Sequence, residues 1–176
     1  MNWMGPFCTV MPREWVEVGN RDGVFLAYPS GTNPLLLQIS SPAFPNGGFL
    51  PMPYRSEGCN CNPPLQIVGL PPVARSLLVI LEQQGTPLSS RTHWVCWDLP
   101  VHSLIETREQ NGTNGRNDFL MEGYTGPFQQ KEITSYRFLV HALRYQLHLP
   151  TGASRYQVEK LLGASRVAYG ELSFFV

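Results

Sequence analysis

Hydrophobic and polar positions along this chain fall into short blocks rather than long amphipathic waves. The most apolar blocks are Ser76 to Leu81 and Trp94 to Leu99, each of strand length and rich in Val, Ile, Leu or Trp. The polar connection between them holds Gly85, Pro87 and a Ser89-Ser90 pair, all loop residues. This pattern predicts two central strands with their connection at the rim of the fold. His93 stands where the second strand begins, and a functional site, if there is one, belongs at that rim.

The remaining blocks predict a turn-rich β protein. Residues 1 to about 35 read as an extension with three short strand candidates, Trp15 to Val18, Val24 to Leu26 and Leu35 to Leu37. Turns are expected at Asn20 to Gly23 and Pro29 to Pro34. The extension carries Trp3, Phe7, Trp15 and three methionines, so it reads either as an added hairpin or as a segment that docks on a partner. Ile39 to Leu50 is turn-rich, Asn62-Pro63-Pro64 is forced into an extended path, and Gln66 to Leu70 is a short strand broken by Pro71-Pro72. Asn111 to Asn117 reads as an exposed loop and Gly123 to Pro127 as a tight turn. Tyr136 to Leu143 is a strand. Ser154 to Gln157 has the form of a capping box, opening a helix with Tyr156, Val158, Leu161 and Leu162 at near-helical spacing and Gly163 as its stop. Ala168 to Val176 closes the chain as a strand. The expected class is mostly β with a few helices, divided into an extension (residues 1–37) and one domain (residues 38–176).

Composition narrows the function classes. The 176 residues suit one domain, and 43% hydrophobic against 15% charged residues argues against disorder. Glycine and proline, 16 each, fit a β-rich fold with many turns. Lys and Arg together equal Asp and Glu together at 13, a poor profile for a stand-alone nucleic-acid binder, which needs a net basic face. The balance is uneven: from Lys131 onward six basic residues face three acidic ones, leaving that stretch at +3 and the rest at −3. Solvated surface is the ordinary reading of so small an imbalance.

Candidate chemistry is sparse. Cys8, Cys59, Cys61 and Cys96 do not have zinc-site spacing and are expected to be free thiols, with no metal or cofactor. His93 and Cys96, three apart on a strand, are expected to face opposite ways, and there is no nucleophile elbow or phosphate loop. An enzyme is therefore not expected. No stretch is apolar enough to span a membrane, and a secretory signal is not apparent, so an intracellular place, cytoplasm or organelle matrix, is expected.

An ordered set of short motifs carries more information. It runs Ser41-Pro42-Ala43-Phe44, Gly58 to Leu65, Ala74 to Leu77, His93-Trp94 with Asp98-Leu99-Pro100, Gly123-Tyr124 with Gly126-Pro127, Tyr136-Arg137-Phe138 and Leu149 to Ala153. In this order and spacing the chain resembles the phosphatidylethanolamine-binding protein family over roughly residues 38 to 176. The bacterial, Raf-kinase-inhibitor-like branch is the nearest in character. The resemblance implies a central β-sandwich with peripheral helices and a small rim pocket for anions such as phosphate head groups. That pocket's positions fall here on His93, Gln83, Pro87, Gly126, Pro127 and Thr134. The match is partial. The family's Asp-Pro-Asp loop falls on Gln83-Gln84-Gly85, its second histidine on Thr134, and the late Gly-His pair of bacterial members on Gly163-Ala164.

Those losses remove charge that would orient a head group and tune the histidines. The expectation is a degraded pocket in which His93 is a satisfied structural histidine. Two functions then compete. One is a non-catalytic interaction module or subunit of a larger assembly; some relatives are built into assemblies such as the mitochondrial large ribosomal subunit. The other is a ligand-binding or kinase-regulating protein with a residual anionic ligand at His93.

Overall fold

The computed structural model describes residues 15–19, 25–29, 35–85 and 90–176. The chain divides into two compact units, residues 1–33 and 34–176. In the first unit, β1 (Trp15–Gly19) and β2 (Phe25–Pro29) form an antiparallel hairpin, with Trp15 opposite Pro29. The turn expected at Asn20 to Gly23, most of the turn expected at Pro29 to Pro34, and Trp3, Phe7 and Cys8 lie outside the described residues.

The second unit comprises β3 (Leu35–Leu36), β4 (Gln38–Ser40), β5 (Gly48–Phe49), a 3-10 turn (Met52–Tyr54), β6 (Leu65–Val68), β7 (Ser76–Gln83) and β8 (Arg91–Leu99). Then come β9 (Leu104–Ile105), β10 (Thr113–Asn114), β11 (Ser135–Leu143), α1 (Arg155–Ser165) and β12 (Arg166–Phe175). The larger sheet has seven strands in the order β10-β8-β7-β11-β12-β3, with β5 also on β12. A three-stranded sheet, β4-β6-β9, faces it. The architecture is the mostly β sandwich that the sequence predicts; among the described residues its helical part is α1 and the 3-10 turn.

The apolar run of β7 explains this layering. Residues 76 to 82 are buried without interruption, so both faces of the strand need cover. Leu77, Val79 and Leu81 pack with Trp94, Phe138, Phe174 and the small sheet's Ile39, Leu65, Ile67 and Ile105. Leu78 and Ile80 pack the other way, with Val95, Trp97 and, from α1, Val158 and Leu162. Each such side chain contributes about 1.5–3 kcal/mol on burial.

Glu82 interrupts the apolar pattern and is 3% exposed. Its carboxylate lies between the guanidinium groups of Arg137 on β11 and Arg155 on α1. Arg155 also holds Glu159 at 2.6 Å, one helical turn on, and Arg137 reaches Glu171 at 3.3 Å. These pairs fix α1 to the sheet, and the predicted capping box, with Ser154 and Gln157 bonding reciprocally, starts the helix.

Several expectations change. The helix does not stop at Gly163 but runs to Ser165, and ends where β12 needs extended backbone to pair Arg166 with Leu143. Tyr156 and Leu161 are exposed, because α1 offers only a narrow stripe of Val158 and Leu162 to the sheet. The stretch Asn111 to Asn117 is not a free loop: Thr113 and Asn114 pair with Trp97 and Cys96, and Gly115 and Asn117 are buried. Gly123 to Pro127 bends only at Gly123, whose φ is 92°, and then runs without turn or strand through Pro127.

Replacing Glu82 with Gln takes from two partly buried guanidinium groups the carboxylate they share, with Glu159 and Glu171 still in place. The expected loss is about 3–5 kcal/mol, read as a lower urea midpoint. Ser154→Ala, which removes only the helix cap, is expected to cost about 1 kcal/mol in the same measurement.

Candidate functional site

Three strand ends meet at one pole of the large sheet. Gln83 closes β7, where it lies opposite both Arg91, the first residue of β8, and Tyr136, near the start of β11. Between them the ladder slips. Glu82 pairs with Thr92 but Leu81 pairs with Trp94, so His93 is the extra residue of a β-bulge. The bulge turns His93 toward the ring of Tyr136, against the strict alternation that would send it to the other face.

The His93 imidazole is fully buried and surrounded by aromatic rings. Phe119 lies 4.7 Å away edge-on, Tyr136 5.3 Å and Phe128 6.3 Å, centroid to centroid. Its Nδ1 is 2.9 Å from the carbonyl oxygen of Thr125. A carbonyl only accepts, so Nδ1 carries the proton and Nε2 is left as an acceptor. That Nε2 is buried without a partner. Burial is the main force on the ring and holds its pKa below the usual histidine value, so His93 is neutral. The expected satisfied histidine is thus satisfied on one nitrogen only.

Asn117 supports this arrangement, and the sequence did not single it out. Its side-chain amide donates to the carbonyls of His93 (3.1 Å) and Gly123 (3.2 Å) and to Thr125 Oγ1 (2.8 Å). Its Oδ1 accepts from the N–H groups of Phe119 (3.0 Å) and Met121 (3.1 Å). The signal was available: asparagine bonding to backbone two residues on is a standard turn device.

The segment after Gly123 is stitched to residues 54–60. Tyr124 Oη donates to the Tyr54 carbonyl at 2.7 Å, and Gly126 N–H donates to Asn60 Oδ1 at 2.7 Å. Ser56 N–H donates to the Pro127 carbonyl at 3.1 Å. A Cβ on Gly126 would meet Ser56 N at 2.6 Å and the Arg55 carbonyl carbon at 2.7 Å, so only glycine permits this approach. Gly126 and Pro127, both buried, therefore hold the wall behind His93.

The other expected positions contribute less. Gln83 is half-buried at the strand end, and Gly85 is exposed with no side chain to offer. Thr134 pairs through its backbone with Val176 at 2.8 and 3.0 Å and donates its hydroxyl to the Glu132 carbonyl at 3.1 Å. Pro87 lies outside the described residues. A cavity of about 210 Å³ opens nearby, with Arg55, Gln130, Lys131 and Ile133 in its lining. Gln130 Nε2 donates to Tyr136 Oη at 3.3 Å, which links the cavity wall to the His93 cluster.

A family model described as phosphatidylethanolamine-binding protein matches residues 40–175. The chain belongs to that family. A UPF0098 protein of Pyrococcus horikoshii is 37% identical over 153 residues, covering 81% of this chain and 77% of its own length. A UPF0098 protein of Pyrococcus abyssi is 35% identical over 148 residues, covering 78% and 83%. Among solved structures, a phosphatidylethanolamine-binding protein homologue of Chlamydia trachomatis superposes with a TM-score of 0.74 at 26% identity, over 80% of this chain and 97% of that one. The family member YbcL of E. coli shares the fold, with a TM-score of 0.70 over 79% of this chain and 96% of its own.

The chemistry open to this family site is narrow. Cys96 sits in the core, its thiol pushed up to about 12 by burial. The Cys61 thiol points to the Pro53 carbonyl at 3.8 Å. Cys59, Cys61 and Cys96 are all free. Among the described residues no group of three or more His, Cys, Asp or Glu side chains is placed to hold a metal ion, and no helix is long and apolar enough to cross a membrane.

Asn117→Ala removes an amide whose two N–H groups and carbonyl oxygen serve five partners, and leaves backbone groups unpaired. It is expected to cost about 3 kcal/mol or more in chemical denaturation and to broaden the His93 ring signals in NMR spectra. Stability should also fall on acidification. Burial lowers His93, and lowers His141 from 6.5 to about 4, so between these values the unfolded chain binds protons that the folded one does not. The contribution is complete above about pH 6.5 and is lost toward pH 4, on the order of 3 kcal/mol for His141. Urea midpoints measured from pH 7 to 4 should show this slope, reduced in His141→Leu.

Proposed function

We propose that this chain is a non-catalytic family member whose rim site no longer holds an anionic head group and which works as a protein-interaction module or a subunit of a larger assembly. The observation that carries this reading is His93. It is buried and neutral, and it offers an acceptor nitrogen where an oxyanion would need a donor. Gln83 and Gly85 stand where the family has carboxylates, and the Thr134 hydroxyl is engaged with Glu132. Among the described residues the rim offers no activated nucleophile, and the Asp118 carboxylate beside His93 is engaged by the Thr92 N–H at 2.7 Å, so proton transfer lacks a free base.

Large apolar side chains near the same end support an interaction role. Phe49, Met52, Leu120, Met121 and Ile133 are all more than half exposed, Leu120 at 80% and Ile133 at 71%. Exposed apolar groups around a closed site suit a surface that a protein partner covers.

A second reading is favoured by the unpartnered Nε2 alone. A small ligand bearing an ammonium or hydroxyl donor could satisfy it, which keeps a head-group-binding or kinase-regulating role in play.

Titration with phosphoethanolamine and inorganic phosphate, followed at the His93 ring by NMR, is expected to give no saturable response at the rim. Leu120→Arg with Ile133→Arg should abolish co-purification of partners with the intact chain while leaving the thermal midpoint within about 2 °C. Saturable head-group binding abolished by His93→Ala, with no partner captured by either version, would reverse the reading in favour of the second.

A further inference from the structure

The opposite pole of the sheet carries a groove of about 600 Å³ lined by Arg75, Arg144, Tyr145, Gln146 and His148. It lies where β7 begins and β11 ends, a strand's length from His93, or roughly 25 Å. No carboxylate lines it. The nearby Asp98 is already engaged, accepting from the N–H groups of Leu147 at 2.6 Å and His148 at 2.9 Å. Among the described residues, none of Arg75, Arg144 or His148 has an ion-pair partner.

The backbone of the groove is fixed. Arg75 N–H donates to Leu143 and Arg144 N–H to Ser165, each at 2.7 Å. The Tyr145 carbonyl accepts from Ser76 Oγ at 2.8 Å, and His148 is held at a φ of 51°. The backbone beneath these cations is pinned, so what remains to be ordered on binding an anion is the exposed side chains themselves. At the C-terminal end of α1 the Leu162 carbonyl is met by the Arg166 backbone N–H, and the Arg166 guanidinium lies over the Tyr169 ring. Among the described residues the Arg75 side chain meets no carboxylate, and His148 meets Asp98 through its backbone N–H.

We propose that this groove binds the phosphate monoester of a small organic molecule. The phosphate is received by the Arg75 and Arg144 guanidinium groups with His148 beside them, and the organic part lies against the Tyr145 ring. Guanidinium groups match the oxygens of a dianion in two-point contacts. The volume falls in the range of small-molecule pockets and exceeds what free phosphate needs. Tyr145, 62% exposed, offers a ring face with no structural duty. An open groove with a single exposed ring between arginines offers too little apolar surface to enter a bilayer, and suits a small ligand.

The test is a titration of the full ¹⁵N-labelled chain with phenyl phosphate and, separately, inorganic phosphate. Saturable amide shifts are expected at residues 75 and 144–148 and not at His93, with phenyl phosphate binding the tighter. Arg75→Gln and Arg144→Gln are each expected to weaken it roughly ten- to a hundredfold, with the rest of the spectrum unchanged. Tyr145→Ala should bring phenyl phosphate down to the level of inorganic phosphate. No saturable shift at these residues by tens of millimolar, or equal shifts in the double arginine variant, would overturn the proposal. So would equal affinity for the two phosphates, which marks a free-phosphate site, or a response only to vesicles containing phosphatidic acid, which marks a membrane contact. Shifts confined to His93 would overturn it while reopening the head-group reading of the rim, so the two failures are told apart.

Discussion

β7 is buried on both faces, and the rest of the architecture follows from that constraint. A strand whose flanks are both closed to water cannot carry free polar groups along its length. It needs the small sheet on one side and α1 on the other, and it sets the order of the strands between which it is wedged. The one charge that it does carry, on Glu82, stands near its end and is enclosed by two arginines. Chemistry is thereby expelled from the middle of the protein to its two poles, where strands end and loops begin.

The two poles differ in character. At the rim the polar groups turn inward: Asn117 and His93 bond to neighbouring backbone carbonyls, Gly126 gives its N–H to the Asn60 side chain, and the aromatic rings close over what remains. At the other end the backbone is satisfied while the long cationic side chains stay in solvent. Family membership describes the frame that both poles share. It does not by itself say which pole works, because a shared fold does not carry a shared site.

Much of the frame was legible in the sequence, since it rests on local patterns. The apolar runs of β7, β8 and β11 show their burial directly, and the Ser154–Gln157 box marks the start of α1 without any tertiary information. What escaped depended on contacts distant in sequence. Gly163 looks like a helix stop, but pairing of Arg166 with Leu143 decides where α1 ends. Asn117 sits in a stretch whose glycines and asparagines suggest exposure, and only the neighbouring strands bury it. The direction of His93 could not be read either: a period of two assigns it to the wrong face, because a bulge is a defect in that period.

The bulge at His93 also separates the wall of the rim from the frame that carries it. It places one more residue in β8 than the ladder needs, between Thr92 and Trp94, which already face consecutive residues of β7. Loss of that single codon would leave each remaining residue of β8 on its present face while removing the imidazole and the carbonyl that Asn117 and Thr125 grip. The ladder would then close with every other side chain of β8 on its present face, so the wall at the rim is an addition to the fold and not a condition of it.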